Sequence, residues 1–154
     1  MKTKTDESTP FNLAEITIQY SCRVKPADRT KIRSSRDADQ VLRAVIPSFE
    51  HREYFYLLCL NRSNQLLGYH QVSVGGISGT TADVRIIFQI ALKANASAIL
   101  IAHNHPSGNL QASESDQNLT RKIKNAGNLL DITLLDHLIL TQDAYLSFAD
   151  EGLM

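Results

Sequence analysis

The sequence predicts an α/β domain, a mixed sheet flanked by helices around one hydrophobic core. Three observations carry this. The 154-residue length suits a single domain with a sizeable core. Short dense apolar runs of strand length, "YFYLLCLN" and "SAILIA", are present. Stretches with helical spacing of apolar residues alternate with these runs, rather than being segregated at one end.

The elements follow in order. "EITIQYSCRV" alternates well enough for a strand. "DADQVLRAVIPSF" spaces Val41, Leu42, Val45 and Ile46 as one helix face, and Pro47 marks its end. "YFYLLCLN" is a buried strand, and "LLGYHQVSVG", beyond the turn "NRSNQ", is its hairpin partner. "GGISG" is a loop. "ADVRIIFQIALKAN" places Val84, Ile87, Phe88, Ala91 and Leu92 on one helical stripe. "SAILIA" is a short buried strand, and "SESDQNLTRKIKNAG" is a helix with a glycine stop at Gly127. "DITLLDHLILT" and "AYLSFAD" are strands around the turn "QD". The division expected is a polar, basic extension with a strand over 1–36 and the domain proper over 37–154.

Composition narrows the classes. Net charge is zero, so no global field draws the chain to nucleic acid. Residues 1–36 nevertheless carry eight Lys or Arg against four acids, and "RVKPADRTKIRSSR" could touch phosphates. Cys22 and Cys59 form no disulfide framework or zinc-ribbon spacing, which suits a reducing cytoplasm. No run is long and apolar enough for a membrane span, and the polar start "MKTKTDESTP" does not read as a signal peptide.

The chemistry concentrates in "ILIAHNHPSGNLQASESDQNLT". Side chains two apart on an extended backbone point the same way, so the imidazoles of His103 and His105 can meet one ion. Pro106 prevents further strand pairing, and Gly108 permits the bend. Ser113 begins the next helix and Asp116 lies in its first turn, where the helix N-terminus favours an ionised carboxylate. Two neutral imidazoles and one carboxylate suit zinc, and three protein ligands leave a fourth position for water. Such a site needs a base for the water's proton. Glu114 points away on the helix. Glu53, at the head of a buried strand, has the better claim, with Glu50 three residues earlier as the alternative.

Glu53, His103-x-His105-Pro106, six residues and Ser113-x-x-Asp116 together resemble the JAMM/MPN+ metallopeptidase pattern. "HREYFYLLCLN", "ALKANASAILIAHNHPSG", "SESDQNLT" and "LLDHLILT…AYLSFADEG" resemble more narrowly the RadC family, bacterial proteins labelled as DNA repair factors, from about Asp37 onward. The resemblance implies a JAMM/MPN-like fold with the layered architecture of cytidine deaminases. It implies a zinc-dependent hydrolase of peptide or isopeptide bonds. One Zn2+ per chain would be held by His103, His105 and Asp116, with Glu53 as general base and acid and Ser113 donating to the oxyanion. The chain departs from the family pattern at "NLQAS", where a proline commonly precedes the serine. It shows neither the helix-hairpin-helix module common ahead of this domain nor an insertion of the kind that holds ubiquitin in eukaryotic relatives.

Each motif also has a plainer reading. The letters His103-Asn104-His105 coincide with the HNH nuclease name, but that motif spreads its residues over a ββα hairpin, and Asn104 should point away from its neighbours. Ser113-x-x-Asp116 is also a helix capping box. His51 and His70 read as surface residues. His137, beside Asp136, reads as a hydrogen-bonded core histidine or as support behind a metal ligand. "GGISG" could cradle an anion but reads more simply as a hairpin exit. The alternative function is a non-hydrolytic module that binds DNA or a repair or mobile-element protein through the basic arm. A homodimer is open through an exposed N-terminal strand.

Overall fold

The computed structural model describes residue 14 and residues 20–76 and 82–154. The elements run α1 (Ser35–Val45), β1 (Tyr54–Leu60), β2 (Leu66–Val74), α2 (Val84–Lys93), β3 (Ala98–Asn104), α3 (Glu114–Leu129), β4 (Thr133–Leu140) and β5 (Tyr145–Ser147). They form a five-stranded sheet of order β2-β1-β3-β4-β5. Only β3 and β4 are parallel; the other pairs are antiparallel. A parallel pair needs a crossover, which α3 supplies. The mixed α/β sheet flanked by helices is the predicted class. The strand expected at "EITIQYSCRV" lies partly outside the described residues, and residues 20–24 form no strand.

The strand period of two divides the core. Phe55, Leu57, Cys59, Ile99 and Ile101 face one way and pack with Ile87, Phe88 and Ala91 of α2 and Ile123 of α3. Tyr56, Leu58, Leu60, Leu100 and Ala102 face the other way and pack with Ala38 and Leu42 of α1. Every residue of β3 is buried, which explains why it reads as an unbroken apolar run. Ile32, from the segment ahead of α1, also packs into the second cluster.

Local chemistry sets the ends. Ser34 caps α1 by accepting from the Asp37 amide, and α1 ends just ahead of Pro47. Arg43 reaches from α1 to the Thr141, Gln142 and Ala144 carbonyls, fixing the β4–β5 turn. Asn64, at φ 56°, makes the β1–β2 turn, with the Asn61 side chain accepting from the Ser63 and Gln65 amides. Asp83 caps α2 through the Arg85 amide.

Two expectations are corrected. Leu92 is 52% exposed. The buried stripe of α2 runs through Ile87, Phe88 and Ala91, and one further residue turns the helix about 100° away from it. Gly127 is not a helix stop, because α3 continues to Leu129. Its small size serves packing: a Cβ there would lie 2.3 Å from the Ile132 carbonyl oxygen. The Gly127 carbonyl in turn accepts from the Leu130 and Ile132 amides. Helix propensity alone favours Gly127→Ala by about 1 kcal/mol. The backbone clash opposes it and should win, leaving a net loss of about 1–3 kcal/mol in urea unfolding. A stabilised variant would show that the chain after α3 moves aside without cost.

Candidate metal centre

The site lies where the C-terminal ends of β3 and β4 meet the start of β1. The register sets Phe55 opposite His103, so Glu53, just ahead of β1, arrives beside the end of β3. His103 is 2% exposed and stacks on the Phe55 ring at 5.9 Å between centroids and 5° between planes. The His105 amide still donates to the Leu140 carbonyl, so the backbone remains paired beyond the end of β3. Both imidazoles consequently project to one side, and their Nε2 atoms stand 2.9 Å apart. Gly108, at φ 79°, then turns the chain, and its amide donates to the His105 carbonyl.

Two carboxylates face the same point. Asp116 Oδ1 is 3.2 Å from His103 Nε2, and Asp116 Oδ2 is 3.8 Å from His105 Nε2. Glu53 Oε1 is 3.6 Å from His103 Nε2. The tightest trio of ligating atoms belongs to Glu53, His103 and His105. Asp116 borders it through these contacts to both imidazoles. Glu50, His51 and His70 are exposed, and none joins this group.

The capping box orients Asp116. Its Oδ2 accepts from the Ser113 amide at 2.8 Å and from the Ser113 hydroxyl at 2.7 Å, while the Asp116 amide donates to Ser113 Oγ. Oδ1 is left to face His103. Burial raises the Asp116 pKa, but the neighbouring His103 imidazole and the two Ser113 donors outweigh it. The carboxyl is held well below the usual carboxylate range.

The donor chemistry fits a cation. His105 Nδ1 is 2.6 Å from the Asn109 carbonyl, which can only accept, so the proton of a neutral His105 sits on Nδ1. Its Nε2 lone pair therefore points at His103 Nε2, between two carboxylates. That arrangement is short of a positive charge at its centre, which a proton or a metal ion can supply. Imidazole nitrogen with carboxylate oxygen is the donor mixture that zinc accepts.

Behind His103 stands His137, fully buried, with Nε2 2.9 Å from His103 Nδ1 and Nδ1 2.7 Å from Thr120 Oγ1. Burial first, and the neighbouring imidazoles second, push His137 well below its ordinary pKa. The adjacent Asp136 faces away from the site, accepting from Ser147 Oγ and the Ala149 amide. Asn104 also points away from the cluster, as expected of its place between the two histidines. There it does unforeseen work. Its Oδ1 accepts from the Tyr54 amide, and its Nδ2 donates to the Phe49 and Arg52 carbonyls. The backbone on both sides of Glu53 is tied to β3 in this way. Of "GGISG", residues 77–79 lie outside the described residues.

The family model for the RadC-like JAB domain matches residues 32–153. The chain belongs to the RadC-like JAB domain family. Among curated relatives it is similar to a UPF0758 protein of Flavobacterium johnsoniae, 46% identical over 80% of this chain and 53% of the relative. A UPF0758 protein of Porphyromonas gingivalis is 40% identical over 89% of this chain and 62% of the relative. A third, from Thermosynechococcus vestitus, is 43% identical over 82% of this chain and 50% of the relative. The matched part of the chain thus spans between half and about three-fifths of the length of these relatives. In this RadC-like JAB domain, no described helix is long and apolar enough to cross a membrane.

Proposed function

We propose that this RadC-like domain is a zinc-dependent hydrolase of the JAMM type, acting on peptide or isopeptide amides. The observation that carries the reading is the convergence of His103, His105, Asp116 and Glu53 on one point, with the outward nitrogen of each imidazole already engaged. His103, His105 and Asp116 would hold the ion. Bound zinc would acidify a water and polarise the substrate carbonyl. Glu53 takes the proton of the attacking water and returns it to the leaving amine. Asn104 holds the Glu53 backbone for both transfers. Ser113 donates to the developing oxyanion.

The supporting experiment is metal analysis of the full chain purified without chelator, followed by amine release from linear and lysine-branched peptides. About one zinc per chain with turnover supports the reading. A metal-free, inactive protein that binds random duplex DNA with a steep salt dependence would favour the alternative module instead.

Ser113 has two jobs to separate. Its one proton goes to Asp116 Oδ2, so donating to an oxyanion requires that hydroxyl to turn. Ser113→Ala should lose about 0.5–2 kcal/mol of stability through the cap. It should also lose turnover on the order of 10²-fold while keeping zinc. Lower melting temperature with unchanged turnover would leave Ser113 as a cap alone.

A further inference from the structure

We propose that His137 and Thr120 form a directional hydrogen-bond relay that fixes the proton of His103 on Nδ1 and keeps its Nε2 lone pair for the ion. Both are positioning residues. The inference rests on the proposed metal site for its purpose but not for its geometry.

The direction follows from one atom that cannot donate. Thr120 Oγ1 lies 2.6 Å from the Asp116 backbone carbonyl, one helical turn earlier on α3. A carbonyl oxygen only accepts, so the single hydroxyl proton of Thr120 lies in that contact. Thr120 Oγ1 then has only lone pairs for His137 Nδ1, 2.7 Å away, and His137 must supply the proton. Neutral His137 thereby carries its hydrogen on Nδ1 and presents a bare Nε2 to His103. Across that 2.9 Å contact the donor must be His103 Nδ1–H. Every proton in the chain is assigned, and each points away from the cluster.

The surroundings leave His137 little freedom to reverse. It is fully buried, with Phe148 stacked on it at 4.6 Å and Phe55 tilted against it at 6.0 Å. Parallel pairing sets Ile101 opposite His137 and Ile139 opposite His103, so the two rings meet on one face of β3 and β4. The relay ends on the carbonyl of Asp116, whose carboxylate faces His103 Nε2. One turn of α3 therefore supplies the carboxylate that faces the cluster and also sets the tautomer of the imidazole beside it.

Reversal has a definite consequence. If His137 held its proton on Nε2, it would donate to His103 Nδ1. The His103 proton would move to Nε2 and occupy the ion's place. Partners of this kind behind a metal-bound histidine are worth about 10–100-fold in metal affinity.

The test uses the full chain and two readouts. First, long-range 1H–15N spectra of the metal-free wild type at alkaline pH should show His103 and His137 as Nδ1–H tautomers. An Nε2–H tautomer at His103 overturns the relay, whatever the protein does with zinc. Second, zinc affinity is measured by competition with a chromophoric chelator. Thr120→Val, which keeps the shape and removes the hydroxyl, should weaken zinc about 10–100-fold and shift His103 toward the Nε2–H form. Thr120→Ser should restore both. Wild-type affinity in a folded Thr120→Val protein overturns the proposal. A wild type that shows the expected tautomers but binds no zinc would sink the proposed function and leave the relay standing.

Discussion

His105→Ala is expected to fold like the wild type and to bind zinc on the order of 10²-fold more weakly or worse. Of the three proposed ligands, His105 is the cleanest to remove. His103 is buried, and its loss would open a cavity and leave His137 Nε2 without a partner. Asp116 is half of the α3 capping box, so its loss confounds binding with stability. The His105 ring sits after the end of β3, partly exposed, and its one other hydrogen bond is to the Asn109 carbonyl in the same loop. A three-ligand site has no spare donor, and losing even a partner behind a ligand costs about 10–100-fold. Competition titration reads the affinity, and circular dichroism reads the fold. Full zinc occupancy in His105→Ala would remove His105 from the ligand set and end the three-ligand assignment.

Much of this centre is legible in the sequence because its parts obey local rules. Alternation on an extended backbone puts His103 and His105 on one side and Asn104 on the other. The Ser113-x-x-Asp116 spacing is both a capping box and the device that presents Asp116. Glu53 is legible as a candidate from its place at the head of a buried strand, but its choice over Glu50 leans on the family resemblance, since a residue fifty positions from His103 is brought near by β1–β3 register, which no local pattern encodes. Thr120 and the work of Asn104 are not legible at all. Threonine at the fourth position after Asp116 reads as an ordinary helical residue, and its meaning depends on β4 lying alongside. Gly127 misleads for the same reason. A glycine near the end of a helical pattern reads as a cap, whereas here it admits the Ile132 carbonyl from the returning chain. Leu92 fails because apolar residues on a short helix can be counted onto a stripe one position too wide.

Glu53→Gln is expected to retain zinc and fold yet lose amide hydrolysis by about 10²–10⁴-fold, the usual contribution of a positioned acid–base group. The substitution keeps the shape of the side chain and removes only its ability to take a proton. Structure gives reason to expect the fold to survive. The strand entry at Glu53 is held by backbone groups, through Asn104 on one side and the Gly75 amide donating to the Glu53 carbonyl on the other. Neither depends on the carboxylate. The competing role is ligation, because Glu53 Oε1 lies 3.6 Å from His103 Nε2 and belongs to the tightest donor trio. Ligation and proton transfer separate on one preparation. If zinc affinity stays within about threefold of wild type while turnover collapses, Glu53 is the base; a glutamine that cannot serve as an anionic ligand would otherwise weaken zinc as His105→Ala does. Glu50→Gln is the control. Glu50 is exposed and no member of the donor cluster, so its loss should leave both readouts unchanged. Should the two phenotypes be exchanged, the carboxylate that handles the proton is Glu50, and the approach of β1 to the site differs from the one described.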